Sequence, residues 1–178
     1  MADFFPIANE VLENMEGGAY TNDPDDPGKE TKWGITIGVA RENNYSGLMK
    51  DMDEATALCI IKKAVWDKLM LDQCKSQKVA RELFEASVLV GNGAEIPYLQ
   101  RTLNVLNRNQ QDWPDINVDG GFGPTTRDTL NKALSIGRES NILKALNSFE
   151  GFHFITKSER NPVLEKYTNG WFAKRIEF

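Results

Sequence analysis

Apolar residues recur at three- and four-residue spacing along almost the whole chain, which confines it to a helical fold. Phe4, Phe5, Ala8, Val11, Leu12 and Met15 predict a first helix over residues 3–16, ended by a positive-φ residue from Gly17-Gly18. Asp53 and Glu54 open a second, with Leu58, Ile61, Val65 and Leu69 as its buried stripe. Ser76 caps a third, with Val79, Leu83, Ala86 and Val90 inward and Gly91-Asn92-Gly93 as its stop. Ile96, Leu99, Leu103 and Leu106 mark a fourth. Pro124 suits the first position of a fifth, where Thr125 and Asp128 have capping-box spacing. A long helix over 139–157 and a final one after Asn161 complete the series. Trp66 and Trp171 are expected in the core. The pattern fails at residues 20–37, where "TKWGITIGV" has the β-branched and aromatic content of a short strand with Gly34 as a bend. The expected fold is mainly α, with one small β-hairpin lobe near the N-terminus.

Charge narrows the partners. Residues 1–60 carry a net −8, residues 61–130 are neutral, and residues 131–178 carry +3. Phosphate binding needs a basic footprint, so nucleic acid is excluded as an expected partner. The basic stretch, with Lys166, Lys174 and Arg175, suits a negatively charged surface such as a bacterial envelope. No apolar run reaches about 18 residues, so membrane insertion is not expected. The opening "MADFFPIANEVLENM" is acidic and amphipathic, without a basic segment or cleavage site of the secretory kind. Cys59 and Cys74 are then expected reduced. With a single histidine, His153, and no close cysteine pair, no metal site is expected.

The chemistry concentrates in "ENMEGGAYTNDPDDPGKETKWGIT", residues 13–36. Glycoside hydrolysis needs one carboxyl that stays protonated and one that stays ionised, on opposite sides of the scissile bond. Glu16 falls in the last turn of the first helix, where the negative end of the helix dipole opposes ionisation. Asp25 and Asp26 lie in a loop bounded by Pro24, Pro27 and Gly28, suited to an ionised base or water-orienting group. Thr31 follows with a hydroxyl for the same water. Trp33 and Tyr20 are the nearby aromatics for a sugar face, and Trp33 could equally serve only to close the lobe. Each motif also has a bland reading, as a helix C-cap or a solvated turn. A calcium loop starting at Asp23 fails, because its fifth position is Pro27 and its twelfth is Gly34.

In combination, Glu16-Gly17-Gly18, Asp26-Pro27-Gly28 and Thr31-x-Trp33-Gly34-Ile35-Thr36 resemble the N-terminal signature of glycoside hydrolase family 108. The resemblance continues through "AVWDK" and "LFEASVLVGNGAEIPYLQRTLNVLN". "VDGGFGPTT" and "YTNGWFAKR" are similar to the peptidoglycan-binding domain that usually closes such chains. The resemblance implies a lysozyme-like helical fold, with a catalytic muramidase lobe over 1–94 and a peptidoglycan-binding helical subdomain over 95–178, packed as one unit. It further implies a phage endolysin or prophage N-acetylmuramidase that cleaves the β-1,4 bond between N-acetylmuramic acid and N-acetylglucosamine. Glu16 corresponds to the family's acid, Asp26 to its Asp and Thr31 to its Thr. The chain departs from the family pattern at Ala19, inserted before Tyr20, and at Lys29, Glu85 and Leu89. The insertion leaves Asp25 at the Glu-x8-Asp-x5-Thr spacing of phage-type lysozymes, so Asp25 stands as the alternative to Asp26. No cofactor is implied. The expected setting is a monomer held in the host cytoplasm until a holin releases it to the periplasmic wall. The rival readings are a lytic transglycosylase, which needs no water-holding carboxylate, and a non-catalytic wall-binding or secretion-accessory protein.

Overall fold

The computed structural model describes residues 1–14, 18–24, 28–89 and 92–176. Glu16, Asp25, Asp26 and Val90 therefore lie outside the described residues, as does the end of the first expected helix. Helix α1 spans Phe4–Asn14. Its start is fixed twice: the Asp3 carboxylate accepts from Phe5 N at 3.2 Å, and the Gln77 amide exchanges hydrogen bonds with the Asp3 backbone. Phe4 then packs edge-on against Trp66 and Phe84, with ring centroids 5.4 and 5.9 Å away.

The N-terminal lobe holds a third strand beyond the expected hairpin. Strands β1 (Tyr20–Asn22), β2 (Glu30–Lys32) and β3 (Ile35–Thr36) form an antiparallel sheet in sequence order. Thr31 pairs with Thr21 on one side and Thr36 on the other. The β2–β3 turn is Trp33-Gly34, both in the left-handed region at φ 55° and 72°, as a two-residue hairpin turn requires. Thr36 caps helix α2 (Ile37–Glu42) through Val39 N. Gly18, at φ 82°, has the Trp33 indole where a Cβ would stand. Gly18→Ala should therefore lower stability by about 1–3 kcal/mol and shift Trp33 fluorescence, measured by thermal melting and emission spectra.

Helix α3 (Glu54–Ile61) opens on the expected Asp53 cap, whose carboxylate accepts from Thr56 N at 2.8 Å. It does not continue as α-helix to Leu69. Residues Lys62–Trp66 form a π-turn, in which Asp67 N bonds Lys62 O. The extra residue per turn brings the consecutive Val65 and Trp66 both into the core.

Helix α4 (Gln77–Leu89) is capped by Ser76 Oγ at 3.1 Å from Val79 N, as its sequence predicts. Helix α5 spans Asn92–Leu106, so Asn92 and Gly93 begin a helix where the sequence pattern assigns them only a stop. Pro97 sits inside α5; its missing N–H would have bonded the carbonyl of Gly93 near the start. Helix α6 (Pro124–Ser135) has Pro124 at its first position, but the capping box does not form. Gly123 is the cap, Asp128 pairs with Arg127, and Thr126 donates to Gly121 O. The loop before it is held by the buried Gln100 amide, which bonds Asp119, Gly120, Gly121 and Thr126. This turn is a built scaffold whose polar groups bond one another.

Helix α7 (Glu139–Arg160) runs three residues past its expected end. Helix α8 (Glu165–Arg175) packs on it through Phe154, Trp171 and Phe172. One continuous cluster of buried apolar side chains runs from Ala2 to Leu146, drawing on both halves of the sequence. Among the described residues no helix is long and apolar enough to cross a membrane. Cys59 is exposed and Cys74 buried, and both are free.

Candidate active site

A cleft of about 360 Å³ lies between the β-lobe and α8. Asn14, at the end of α1, lines one wall with Ala19, Thr21 and Thr31. Lys166, Tyr167, Trp171 and Lys174, one face of α8, line the other. The segments on both sides of Glu16 in the chain thus border one cleft, which Thr31 shares.

Thr31 is half-buried at the centre of the sheet. Its hydroxyl reaches Lys29 O at 3.4 Å, a long and weak bond that a water can replace. Thr36, paired beside it, spends its hydroxyl on the α2 cap. The two aromatics singled out in the sequence sit elsewhere. Ala19 and Thr21 face the cleft, so the alternation of a strand turns Tyr20 to the other face. There its hydroxyl donates to Glu30 at 3.0 Å. Partial desolvation and the Glu30 carboxylate push that phenol's pKa up. The Trp33 indole N–H donates to Met52 O at 3.0 Å and its ring packs on the core, closing the lobe.

The aromatic surface at the cleft comes instead from α8. Tyr167 and Trp171, one helical turn apart, stack at 6.0 Å with Lys157 5.2 Å from the Trp171 ring. Of the two tryptophans expected in the core, Trp66 is buried there, but Trp171 is only half-buried. The reason is that α8 has no fully buried residue and shares its aromatic face between α7 and the cleft. An i,i+4 Tyr/Trp pair is visible in "YTNGW", yet nothing in that stretch says which element it faces. The expected basic face is also largely committed. Arg175 pairs with the buried Glu85 at 2.5 Å, and Lys166 with Asp23 at 2.9 Å. His153 stands on the helix face, its Nδ1 3.4 Å from the Tyr98 hydroxyl.

Behind this wall lies a second group of carboxyls. Glu95 and Glu150 are nearly sealed from solvent, and one oxygen of each has no hydrogen-bond partner among the described residues. Burial, with Glu82 and Glu150 adding like charge, pushes the Glu95 carboxyl well above the usual range. Burial does the same to Glu82, up to about 8, and to Glu150, up to about 7. No group of three or more His, Cys, Asp or Glu side chains among the described residues is arranged to hold a metal.

Comparison with known proteins agrees with this architecture. Residues 9–91 match the family model Glycosyl hydrolase 108, and residues 94–176 match the one described as Predicted Peptidoglycan domain. The structure of SagA from Brucella abortus superposes with a TM-score of 0.72 at 17% identity, covering 96% of this chain and 88% of that one. At that identity the likeness establishes the shared fold. No curated protein matches the chain. A helical body with a β-lobed cleft and a glycosyl hydrolase match defines a glycoside hydrolase. The glycosyl hydrolase 108 match over residues 9–91, followed by the peptidoglycan-domain match over residues 94–176, supports peptidoglycan hydrolase activity.

Proposed function

We propose that the protein is an N-acetylmuramidase, cutting the β-1,4 bond between N-acetylmuramic acid and N-acetylglucosamine. Glu16 protonates the leaving oxygen. Asp26, or Asp25 in the alternative register, holds the attacking water with Thr31. The observation that carries this reading is that Asn14, Ala19 and Thr31 border a single cleft, with aromatic rings on its opposite wall. Trp171 and Tyr167 offer the sugar-stacking surface. Tyr20 and Trp33, the sequence candidates for it, support the lobe instead.

A water activated on the face opposite Glu16 displaces the leaving sugar with inversion, for which the two carboxyls need about 6.5–9.5 Å between them. Freshly cut chains should therefore carry reducing N-acetylmuramic acid ends in the α configuration, read by mass spectrometry of muropeptides and NMR at early times. The β anomer would make the enzyme retaining. Ends carrying 1,6-anhydro sugars would make it a transglycosylase, and no released fragments would leave only wall binding.

The domain reading joins this proposal: residues 1–94 carry the catalytic groups, and 95–178 add wall affinity and the second cleft wall. The same reading places the protein in a phage or prophage lysis system, as a monomer made in the host cytoplasm and passed to the periplasmic wall by a holin. It rests on the family resemblance. Cytoplasmic expression with and without a co-expressed pore-former tests it: lysis only with the pore supports it, and lysis without one removes it.

A further inference from the structure

Beside the cleft, one carboxylate joins the β-lobe to α8. Asp23, directly after β1, accepts at Oδ2 from Lys166 Nζ at 2.9 Å and from the Tyr167 hydroxyl. The partners are 143 and 144 residues apart in sequence, so this contact belongs to the tertiary fold and to no local motif. The two sides differ in firmness. Helix α8 is anchored by the buried Arg175–Glu85 pair at 2.5 Å, by the Ser158–Thr168 hydroxyl contact at 2.5 Å, and by Phe154 on Trp171 at 5.3 Å. Strand β1 is a three-residue edge strand, exposed at every position. A short exposed edge of that kind opens easily unless a tertiary contact holds it.

We propose that Lys166 and Tyr167 are positioning residues: through Asp23 they tie the β-lobe to α8 and so fix the width of the cleft. The inference rests on the muramidase reading above. Both donors converge on one ionised oxygen, and such bonds are the short, directional ones. Thr21, two residues before Asp23, and Thr31, its cross-strand partner, form the wall that this clasp locates. The Asp23 carboxylate also pushes the Tyr167 phenol's pKa up, so its proton stays in the clasp through neutral pH. Asp23 thereby has a structural assignment that separates it from the other two aspartates of its loop. The C-terminal domain, on this view, contributes to turnover itself and not only to wall affinity.

The test uses the full chain and a soluble peptidoglycan oligosaccharide, for which wall affinity plays no part. Tyr167→Phe, Lys166→Met and the double variant are compared with wild type in kcat and KM, and in hydrogen exchange over residues 19–24. The double variant should lose about 10-fold in kcat with KM within about two-fold, since a misplaced wall costs turnover. Exchange in β1 should accelerate about 10-fold, the melting temperature should stay within ~2 °C of wild type, and Lys166→Arg with Tyr167 intact should keep both readouts near wild type. The inference is overturned if kcat holds while exchange rises, or if exchange holds while kcat falls. It is equally overturned if KM rises alone, which would make the Lys166 ammonium or the Tyr167 hydroxyl a substrate contact, apart from the Tyr167 ring that stacks on the sugar. Should wild type itself cleave nothing, the muramidase reading fails, and unchanged exchange would show separately whether the clasp fails with it.

Discussion

Glu16→Gln should leave a folded protein that no longer clears permeabilised cells, with turnover on soluble oligosaccharide down by roughly 10²–10⁴-fold. The amide matches the carboxyl in size, but its N–H is far too weak an acid to protonate the leaving oxygen. The control is thermal: an unchanged melting temperature shows that chemistry and not folding was lost. KM should move little, because the loss falls on the transition state. Asp25→Asn and Asp26→Asn made in parallel settle the register, since the carboxylate that holds the water should cost far more than its neighbour. Near-normal lysis by folded Glu16→Gln would remove the mechanism altogether.

Stability should fall as the solution is made alkaline, and the cause is the carboxyl group behind the cleft. Glu82, pushed up to about 8 by burial and by the charges of Glu150 and Glu85, stays protonated in the folded protein at pH 6. Glu150, pushed up to about 7, behaves alike, and Glu95 lies higher than its usual range. In the unfolded chain all three ionise near 4.5. Between about pH 4.5 and 8 the folded form therefore binds more protons, and raising the pH through that window favours unfolding. Each tenfold gain in a carboxylate's affinity for its proton is worth about 1.36 kcal/mol, so even half of the effect at Glu82 and Glu150 together amounts to several kcal/mol. With about 2–4 °C per kcal/mol for a chain this long, the melting temperature should drop by roughly 10 °C from pH 5 to pH 8.5. Asp112 works in the other direction, held down to about 2 mainly by its hydrogen bond from Arg108. Its contribution is complete above about pH 4 and lost only as the solution turns more acid, so it does not mask the alkaline slope. Glu82→Gln keeps an acceptor for Asn147, now bonded to Glu82 Oε1 at 2.8 Å, and should flatten the profile while raising stability at pH 8. A profile of wild type that rises from pH 5 to pH 8.5 in calorimetry would refute the assignment.

The helices were legible because their signals are local. Ser76 and Asp53 cap where a short polar side chain precedes an apolar run, and the stripes at 79–86 and 96–103 bury as their spacing predicts. The capping box at Thr125 failed because Gly123-Pro124 already started the helix before it. The π-turn at Lys62–Trp66 left no trace, since its apolar spacing differs from an α-helix by a single residue. The site divides in the same way. Thr31 could be read from a motif and stands on the cleft wall. Tyr20 and Trp33 had the right chemistry, but strand alternation and the Met52 carbonyl decided where they point. Tyr167, Trp171 and the partners of Asp23 depend on how α8 docks, a contact between distant segments that no local pattern encodes.

That docking has a consequence in time. Ribosomal synthesis delivers a chain from its N-terminal side, and residues 9–91 emerge well before Glu165–Arg175. Until α8 has left the ribosome and settled, the strands face open water on the side where Tyr167 and Trp171 belong. A nascent chain of this protein thus carries every acidic side chain of its first half before the cleft has its second wall.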